Sequence, residues 1–370
     1  MQFSIQNSIF KSALVHAQMM TTKQSGLPVL GYVFITTQEN SVCVRSTNLS
    51  LGIEEVIPGK IEEQGSCVIS AQVLIDTLGT LSPQSVLTFI HKDSVCIVRT
   101  ESTESTIKTI TAEDFPSLPL IADGSLSMTC TASDLIHAFK SVMYAASHSD
   151  IKPEISSLYF YTEGNDCVFV STDSFRLAEK KIPCMNVKTD IPGSMIPIKN
   201  VQILHRILQD IDTTVDIFVT QSQIVFTTPT LYLVSRLVDG NYPDYRQIIP
   251  TETTTEITVL RQDFIHALQT VTLFSDKFTQ MDMTIDSQTK TCTCFSEQAD
   301  VGRAQAVIQV QTTGESITLR YNARYLLDCL QVISSDSVTL ECTTPQRPMI
   351  IRPTGEYDFM YLIMPLHRSS

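Results

Sequence analysis

Apolar positions recur along the chain in a repeating order. Three segments combine helical spacing with a shared opening: Ile9-Phe10-Lys11-Ser12-Ala13, Leu135-Ile136-His137-Ala138-Phe139 and Phe264-Ile265-His266-Ala267-Leu268. In each, two apolar residues precede a basic or titratable one and apolar residues return at helical spacing, which predicts an amphipathic helix. Their offsets are 126 and 129 residues. A second helical pattern follows in Ser70–Asp76, Ile198–Leu204 and Asn322–Asp328, at offsets of 128 and 124. A third echo joins Ser46-Thr47-Asn48 to Ser171-Thr172-Asp173, 125 residues apart. Three echoes in one order read as three copies of a unit of roughly 120–125 residues. The expected domains are 1–121, 122–251 and 252–370, parted at the Pro-containing stretch 114–119 and the Thr-rich stretch 250–253.

Between the helical windows the chain alternates like strands. Val29–Thr36, Val42–Ser46, Val86–Ile90, Val95–Arg99, Cys167–Ser171, Val215–Val219, Ile224–Thr228 and Ile317–Tyr321 are rich in Val, Ile, Thr, Tyr and Phe. Turn signals such as Glu163-Gly164-Asn165-Asp166 and Asp239-Gly240-Asn241 separate them. Strands and helices do not alternate one for one, so the fold class is α+β with antiparallel sheets. Ser133-Asp134 and Gln262-Asp263 are polar starts suited to capping their helices.

Charge sharpens this picture. The chain carries 26 Lys+Arg against 39 Asp+Glu, a net of −13. A protein that grips nucleic acid by neutralising phosphates normally has a basic excess, so the total argues against DNA unless the cations are gathered on one surface. Six helix windows, 7–20, 71–82, 132–148, 199–210, 261–277 and 322–333, hold seven Lys/Arg and six Asp/Glu, a net of +1. The rest of the chain carries −14. The helical surface therefore has spare cationic capacity while the acidity lies on strands and loops.

Apolar residues are 43% and charged residues 18% of the chain, a folding composition. No stretch approaches the ~18 apolar residues of a membrane span, and no signal-peptide pattern opens the chain. Ten scattered cysteines, none in a C-x-x-C pair, suit a reducing compartment, so the expectation is a soluble cytoplasmic protein. Nucleotide-binding glycine loops, the hydrolase elbow and the zinc-protease helix motif are absent from the sequence. Cys292-Thr293-Cys294 reads as a buried structural pair and not a metal site, and no cofactor is expected. His137 and His266 match Lys11 in the first unit, which favours a solvent- or phosphate-facing role over catalysis. Asp173 and Arg176 suit a local Asx-type turn. On residues alone, two other classes stay open: an enzyme built around Asp173 and Arg176, and an acidic β-rich scaffold that binds proteins and never DNA.

Longer strings point further. Ser171-Thr172-Asp173-Ser174-Phe175-Arg176-Leu177-Ala178, Ser235-Arg236-Leu237-Val238-Asp239-Gly240-Asn241-Tyr242-Pro243-Asp244-Tyr245-Arg246 and Leu362-Ile363-Met364-Pro365-Leu366 stand in order, with Leu27-Pro28-Val29-Leu30-Gly31 and Asp114-Phe115-Pro116 before them. Together they resemble the bacterial sliding clamps, the beta subunits of DNA polymerase III, over the whole chain. The resemblance implies three similar domains per chain and a head-to-tail homodimeric ring, helices lining the hole and sheets outside. Such a ring is not itself an enzyme. It would encircle double-stranded DNA without reading sequence and tether the DNA polymerase III catalytic subunit. Its other implied partners are a clamp loader and further replication and repair proteins that carry a clamp-binding motif.

The same resemblance implies site residues. A client-peptide pocket would use Leu177, Pro243, Ile248, Leu362, Met364 and Pro365, with Thr172, Ser174, Phe175, Arg176, Lys152 and Ile155 at its edge. DNA would face Lys23, Gln24 and Lys199 by the same resemblance, and Lys11, Lys140 and Arg206 by their place in the helix windows. Ring closure would join Ile107 of one chain to Leu273 and Phe274 of the other. Two departures bear on client preference. Ser174-Phe175 stands where the family usually has Gly-His, and His367-Arg368-Ser369-Ser370 follows Leu366.

Overall fold

The computed structural model describes residues 1–22, 27–111, 114–121, 125–149, 151–187 and 190–366. Six α-helices fall on the six predicted windows: α1 Asn7–Gln18, α2 Ala71–Gly79, α3 Ala132–Val142, α4 Ile198–Leu208, α5 Arg261–Thr272 and α6 Ala323–Val332. Most are shorter than their windows. After Val142 the chain tightens into a 3-10 turn over Met143–Ala145. After Thr272 the N–H groups of Phe274 and Ser275 reach back only three residues, to Val271 and Thr272. The strand expected over 29–36 also starts late. Pro28 opens a 3-10 turn, Pro28–Gly31, and the strand is Val33–Gln38.

The side-chain cap expected at Gln262-Asp263 is not what α5 uses. Ser133-Asp134 and Gln262-Asp263 both sit inside the first turn, and Leu260 occupies the cap position of α5 with no side-chain bond. The reason is a backbone partner. The first N–H of α1, of α3 and of α5 donates to a distant carbonyl: Asn7 to Ser85 (2.9 Å), Ala132 to Thr213 (3.0 Å) and Arg261 to Asp336 (2.8 Å). One orphan donor per helix is satisfied by this backbone bond, at repeat-equivalent places. Asp134 and Asp263 instead put negative charge near the positive end of the helix dipole.

The chain forms two compact units that cut across the expected repeats. One contains Met1–Ser133, Met185–Ile191 and Ile203–Leu237; the other contains Asp134–Cys184, Pro192–Gln202 and Val238–Ser370. The first unit carries a thirteen-stranded antiparallel sheet. It runs from Leu126–Thr131 through Thr214–Val219, Gln223–Thr227 and Leu231–Arg236 to Leu51–Pro58, Ser41–Thr47 and Val33–Gln38. It continues through Ser66–Ile69, Glu104–Ile110, Val95–Arg99, Val86–Lys92 and Gln2–Gln6 to Lys60–Glu63. The junction within it pairs Leu231–Ser235 with Leu51–Glu55.

The second unit carries a nine-stranded sheet. Its order is Ser194–Pro197, Ser157–Glu163, Asp166–Thr172, Arg176–Pro183, Phe359–Ile363, Met349–Pro353, Ser337–Cys342, Thr255–Leu260 and Gln311–Gly314. A separate four-stranded sheet orders Gly302–Gln309, Thr291–Gln298, Gln280–Asp286 and Ile317–Asn322. Alternation decides which side is core: Met281, Met283 and Ile285 are buried, and Cys292 and Cys294 on the next strand are buried beside them. The Cys292 thiol is pushed well up by its hydrogen bond with Cys294 and by burial, as expected of an inert structural pair.

Aromatic side chains fill the core under α1. Phe3 stacks on Phe89 at 4.8 Å, and Phe10 from α1 meets both edge-on at 5.7 and 5.8 Å. All three are fully buried. Phe89→Ala should therefore lower stability by about 3–5 kcal/mol, since a large cavity would be left between strand and helix. Urea unfolding monitored by circular dichroism measures it, with Phe175→Ala, an exposed phenylalanine, expected to change little.

Candidate functional site

The string Ser171 to Leu177 makes a tight turn between Asp166–Thr172 and Arg176–Pro183. Thr172 Oγ1 donates to the Arg176 carbonyl (2.6 Å) and accepts from the Ser174 N–H (3.1 Å). Asp173 Oδ1 accepts from the N–H groups of Phe175 (2.9 Å) and Arg176 (3.0 Å). These bonds hold Ser174 at φ 78°, a left-handed conformation uncommon outside glycine. The first repeat builds the same turn. Thr47 Oγ1 donates to the Leu51 carbonyl (3.0 Å), Asn48 Oδ1 accepts from Ser50 and Leu51, and Leu49 takes φ 70°. The sequence echo at 125 residues is thus one turn geometry used twice.

What distinguishes the second copy is Arg176. Its Nε donates to Asp173 Oδ2 at 2.9 Å and its Nη1 to Asp328 Oδ2 at 2.7 Å, tying the turn to α6. The guanidinium also lies over the Tyr325 ring at 4.1 Å and the Tyr144 ring at 5.7 Å. Asp173 and Arg176 are therefore the expected Asx-type turn, reinforced by a tertiary ion pair. The arrangement makes the turn rigid, and Phe175 projects from it 58% exposed.

Behind the turn lies an apolar cluster. Leu177 and Leu362 pair across adjacent strands, both fully buried, and pack with Val168, Val170, Ile350 and Met360. Met364 packs against them and its N–H donates to the Phe175 carbonyl at 2.8 Å, so the C-terminal segment is stitched to the turn. Pro365 is buried and Pro243 exposed, while Ile248 is 44% exposed on the 3-10 turn Tyr245–Ile248. Lys152 is exposed and Ile155 half-buried on the loop before Ser157–Glu163, where the Lys152 and Ile155 carbonyls accept from Ser156 and Ser147. Neither Ile155 nor Ile248 is among the described residues packed on the Leu177 cluster.

Sequence reading missed the tyrosines of this region. Tyr242 stacks flat on Tyr159 at 4.5 Å, and Tyr245 Oη donates to Glu179 Oε2 at 2.6 Å and meets Tyr161 Oη at 2.9 Å. Burial and then the Glu179 charge push the Tyr245 hydroxyl well above its ordinary range. The signal was available: two tyrosines flank Pro243-Asp244 three positions apart, one buried face of a short turn. Ile350 and Met360 carried no such signal, because nothing local in the sequence brings them to Leu177.

The candidate cations are distributed over both units. Lys11 on α1 and Arg206 on α4 line a cavity of about 510 Å³ together with Asn7, Ser8 and Asp210. The Asn7 amide nitrogen bonds the carbonyls of Leu78, Leu81 and Ser82, fixing the end of α2 against α1. Lys140 and Lys199 are exposed on α3 and α4. Lys23, Gln24 and the segment after Leu366 lie outside the described residues.

Several strand edges are open among the described pairings, and two of them carry or adjoin Ile107 and Phe274. Residues 104–108 pair with Val95–Arg99, but only Thr109 and Ile110 pair on the other side, with Ile69 and Val68. Gly302–Gln309 ends the four-stranded sheet of the other unit. Ile107 is 8% exposed, so most of its side chain is already covered by its own unit. Leu273, just after α5, is 75% exposed, and Phe274 is half-buried against Gly302.

Three comparisons bear on this geometry. Family models described as DNA polymerase III beta subunit match in order: the N-terminal domain at residues 1–119, the central domain at 129–244 and the C-terminal domain at 246–367. The curated beta sliding clamp of Bacillus subtilis (strain 168) is 25% identical over 99% of both chains, and that of Synechococcus elongatus 25% over 93% of both. Among solved structures, the DNA polymerase sliding clamp from Bacillus subtilis matches with TM-score 0.92 and 24% identity over 99% of each chain. The Pseudomonas aeruginosa sliding clamp bound to griselimycin matches with TM-score 0.94 and 22% identity, again over 99% of each. These structural likenesses speak for the fold.

Replacing Arg176 by Met would leave the Asp173 and Asp328 carboxylates facing each other without their cation. The expected loss is about 3 kcal/mol, the low end for breaking a buried ion pair because Asp328 is partly solvated. Chemical denaturation measures it, and a change below about 1 kcal/mol, the usual worth of a surface pair, would contradict the role assigned to Arg176.

Proposed function

The chain belongs to the DNA polymerase III beta subunit family, and from that we propose how this sliding clamp closes, meets DNA and receives its clients. It is a DNA sliding clamp, a processivity factor that is not catalytic itself. The observation that carries the reading is the order of the three domain matches, which together span nearly the whole chain.

In our reading each chain has three repeats, 1–121, 122–251 and 252–370, and two chains close head to tail into a ring. The open edges at residues 104–108 and Gly302–Gln309 support this: each presents unpaired backbone groups that a second strand can satisfy. The exposed Leu273 supplies apolar surface next to Phe274, which lies against Gly302, and Ile107 contributes the small part of its side chain that its own unit leaves open. Duplex DNA would pass along the helices, meeting Lys11, Lys23, Gln24, Lys140, Lys199 and Arg206. A helical surface of net +1 suits sliding, because weak, sequence-blind phosphate contacts position a duplex without reading its bases.

Clients, the polymerase catalytic subunit and the clamp loader among them, would insert a short motif over the Leu177–Leu362 cluster. Thr172, Ser174, Phe175 and Arg176 form one rim, and Met364 and Pro365 another. Pro243 and Ile248 lie along the 242–249 segment, with Lys152 and Ile155 further out. An apolar floor with a rigid polar rim is the chemistry of a peptide groove. No described helix is long and apolar enough to cross a membrane, and a cytoplasmic location agrees with ten buried free cysteines.

Two experiments test this reading. Leu273→Asp would bury an unpaired charge on closure and should yield monomers in sedimentation; a dimer of unchanged stability would reject the interface. Wild-type clamp loaded on circular DNA should persist until the circle is cut, whereas binding to short linear duplex should be weak and fall steeply with salt.

The pocket has its own test. A chain ending at Ile363 loses Met364, Pro365 and all that follows, and should bind a clamp-motif peptide about tenfold to a hundredfold more weakly, as expected when one wall worth roughly 1.5–3 kcal/mol is removed. The dimer should survive. Fluorescence anisotropy and sedimentation on one sample check both, and unchanged affinity in a dimeric truncation would reject the pocket.

A further inference from the structure

His16 is only 5% exposed, yet both of its ring nitrogens face carboxylates. Nδ1 lies 2.9 Å from Glu55 Oε2 and Nε2 lies 2.9 Å from Asp210 Oδ2. An ionised carboxylate only accepts, so both contacts are hydrogen bonds when the ring carries both protons and not otherwise. The three residues come from separate elements of one unit: the last turn of α1, the strand Leu51–Pro58, and the turn that follows α4. The backbone of that turn is held by local bonds, Asp210 to Ile207 and Ile211 to Leu208. The bond from His16 spans 194 residues and joins segments matched to the N-terminal and central domains.

The surroundings allow the proton to matter. Lys11 of α1 and Arg206 of α4 line the same cavity as His16 and Asp210, and α2 contributes Leu78 and Gly79 there. Arg45 on the neighbouring strand is engaged by Glu54, which leaves Glu55 to the imidazole. Asp210 is largely solvated, so water reaches the outer end of the contact. Burial by itself would lower the His16 pKa, but the bonds and charges of Glu55 and then Asp210 outweigh it and raise it above 6.5.

We infer that His16 is a proton-gated clasp: as imidazolium it fastens the end of α4 to α1 and to the strand Leu51–Pro58, and loss of one proton releases that end. A neutral ring can donate to one carboxylate only; its remaining proton stays with Glu55, the more buried partner, which leaves the largely solvated Asp210 facing a nitrogen lone pair. Because the folded pKa lies above the unfolded one, the clasp is fully present below about pH 6.5 and is lost as pH rises through the folded value. The device goes beyond the clamp reading and does not depend on what the ring binds.

The test uses the full chain. Side-chain NMR of selectively labelled histidine should show His16 titrating above 6.5 in wild type and lower in Asp210→Asn. Amide exchange over residues 203–211, corrected for intrinsic rate, should quicken as pH rises, by about tenfold for each unit by which the His16 pKa is raised. His16→Gln should abolish that pH dependence. Asp210→Asn, changed at a largely exposed side chain, should reduce it without threatening the fold. A His16 pKa at or below 6.5, or protection of 203–211 with the same pH dependence in wild type and either variant, would overturn the clasp.

Discussion

Backbone pairing between strands far apart in sequence is the constraint on which the remaining structure depends. Arg176–Lys180 pairs with Phe359–Ile363, and Leu231–Ser235 pairs with Leu51–Glu55. Each pairing satisfies main-chain groups that burial would otherwise leave unbonded, at a loss of about 1–3 kcal/mol per group. Each also welds a part of the central repeat into a sheet whose other strands come from an end repeat. That is why two compact units emerge from a chain that repeats three times.

The apolar cluster follows from the same pairing. Leu177 opposite Leu362 is a cross-strand pair, and a slip of one residue would turn both away from Val168, Val170 and Ile350. The turn at Thr172–Arg176 makes that slip expensive. Its left-handed Ser174 is held by four hydrogen bonds from Thr172 and Asp173, and Arg176 anchors the whole to Asp328. In the first repeat the same turn ends in Leu51, which is buried. In the second copy one charged residue, Arg176, ties the same backbone device to Asp173 and Asp328.

Charge follows a different logic from packing. The strands and loops hold nearly all the acidity, and the helices carry a slight positive balance. In the proposed ring, acidity on strands and loops would discourage nucleic acid from adhering there, and near-neutral helices would allow movement along a duplex. Two acidic side chains on or just beyond the helices also have internal tasks. Asp328 holds Arg176, and Asp210 meets His16. Net charge per helix therefore does not by itself give the charge free to meet a ligand.

The sequence by itself determined the repeats, the six helices, the antiparallel α+β class and the turn at Asp173, because each rests on spacing within a dozen residues or on an echo of it. It also determined the family, since the Ser235–Arg246 string and its companions stand in order along the chain. At α5 the expected side-chain cap is absent for a physical reason: the carbonyl of Asp336, more than seventy residues away, takes the first N–H of the helix. Only the tertiary structure decided that Tyr242, Tyr245, Ile350 and Met360 surround Leu177, that Ile107 is mostly covered and Leu273 exposed, and that His16 lies between two carboxylates. Such contacts are set by which strands pair and in which register, and no local pattern of apolar and polar residues encodes a partner up to 194 positions away.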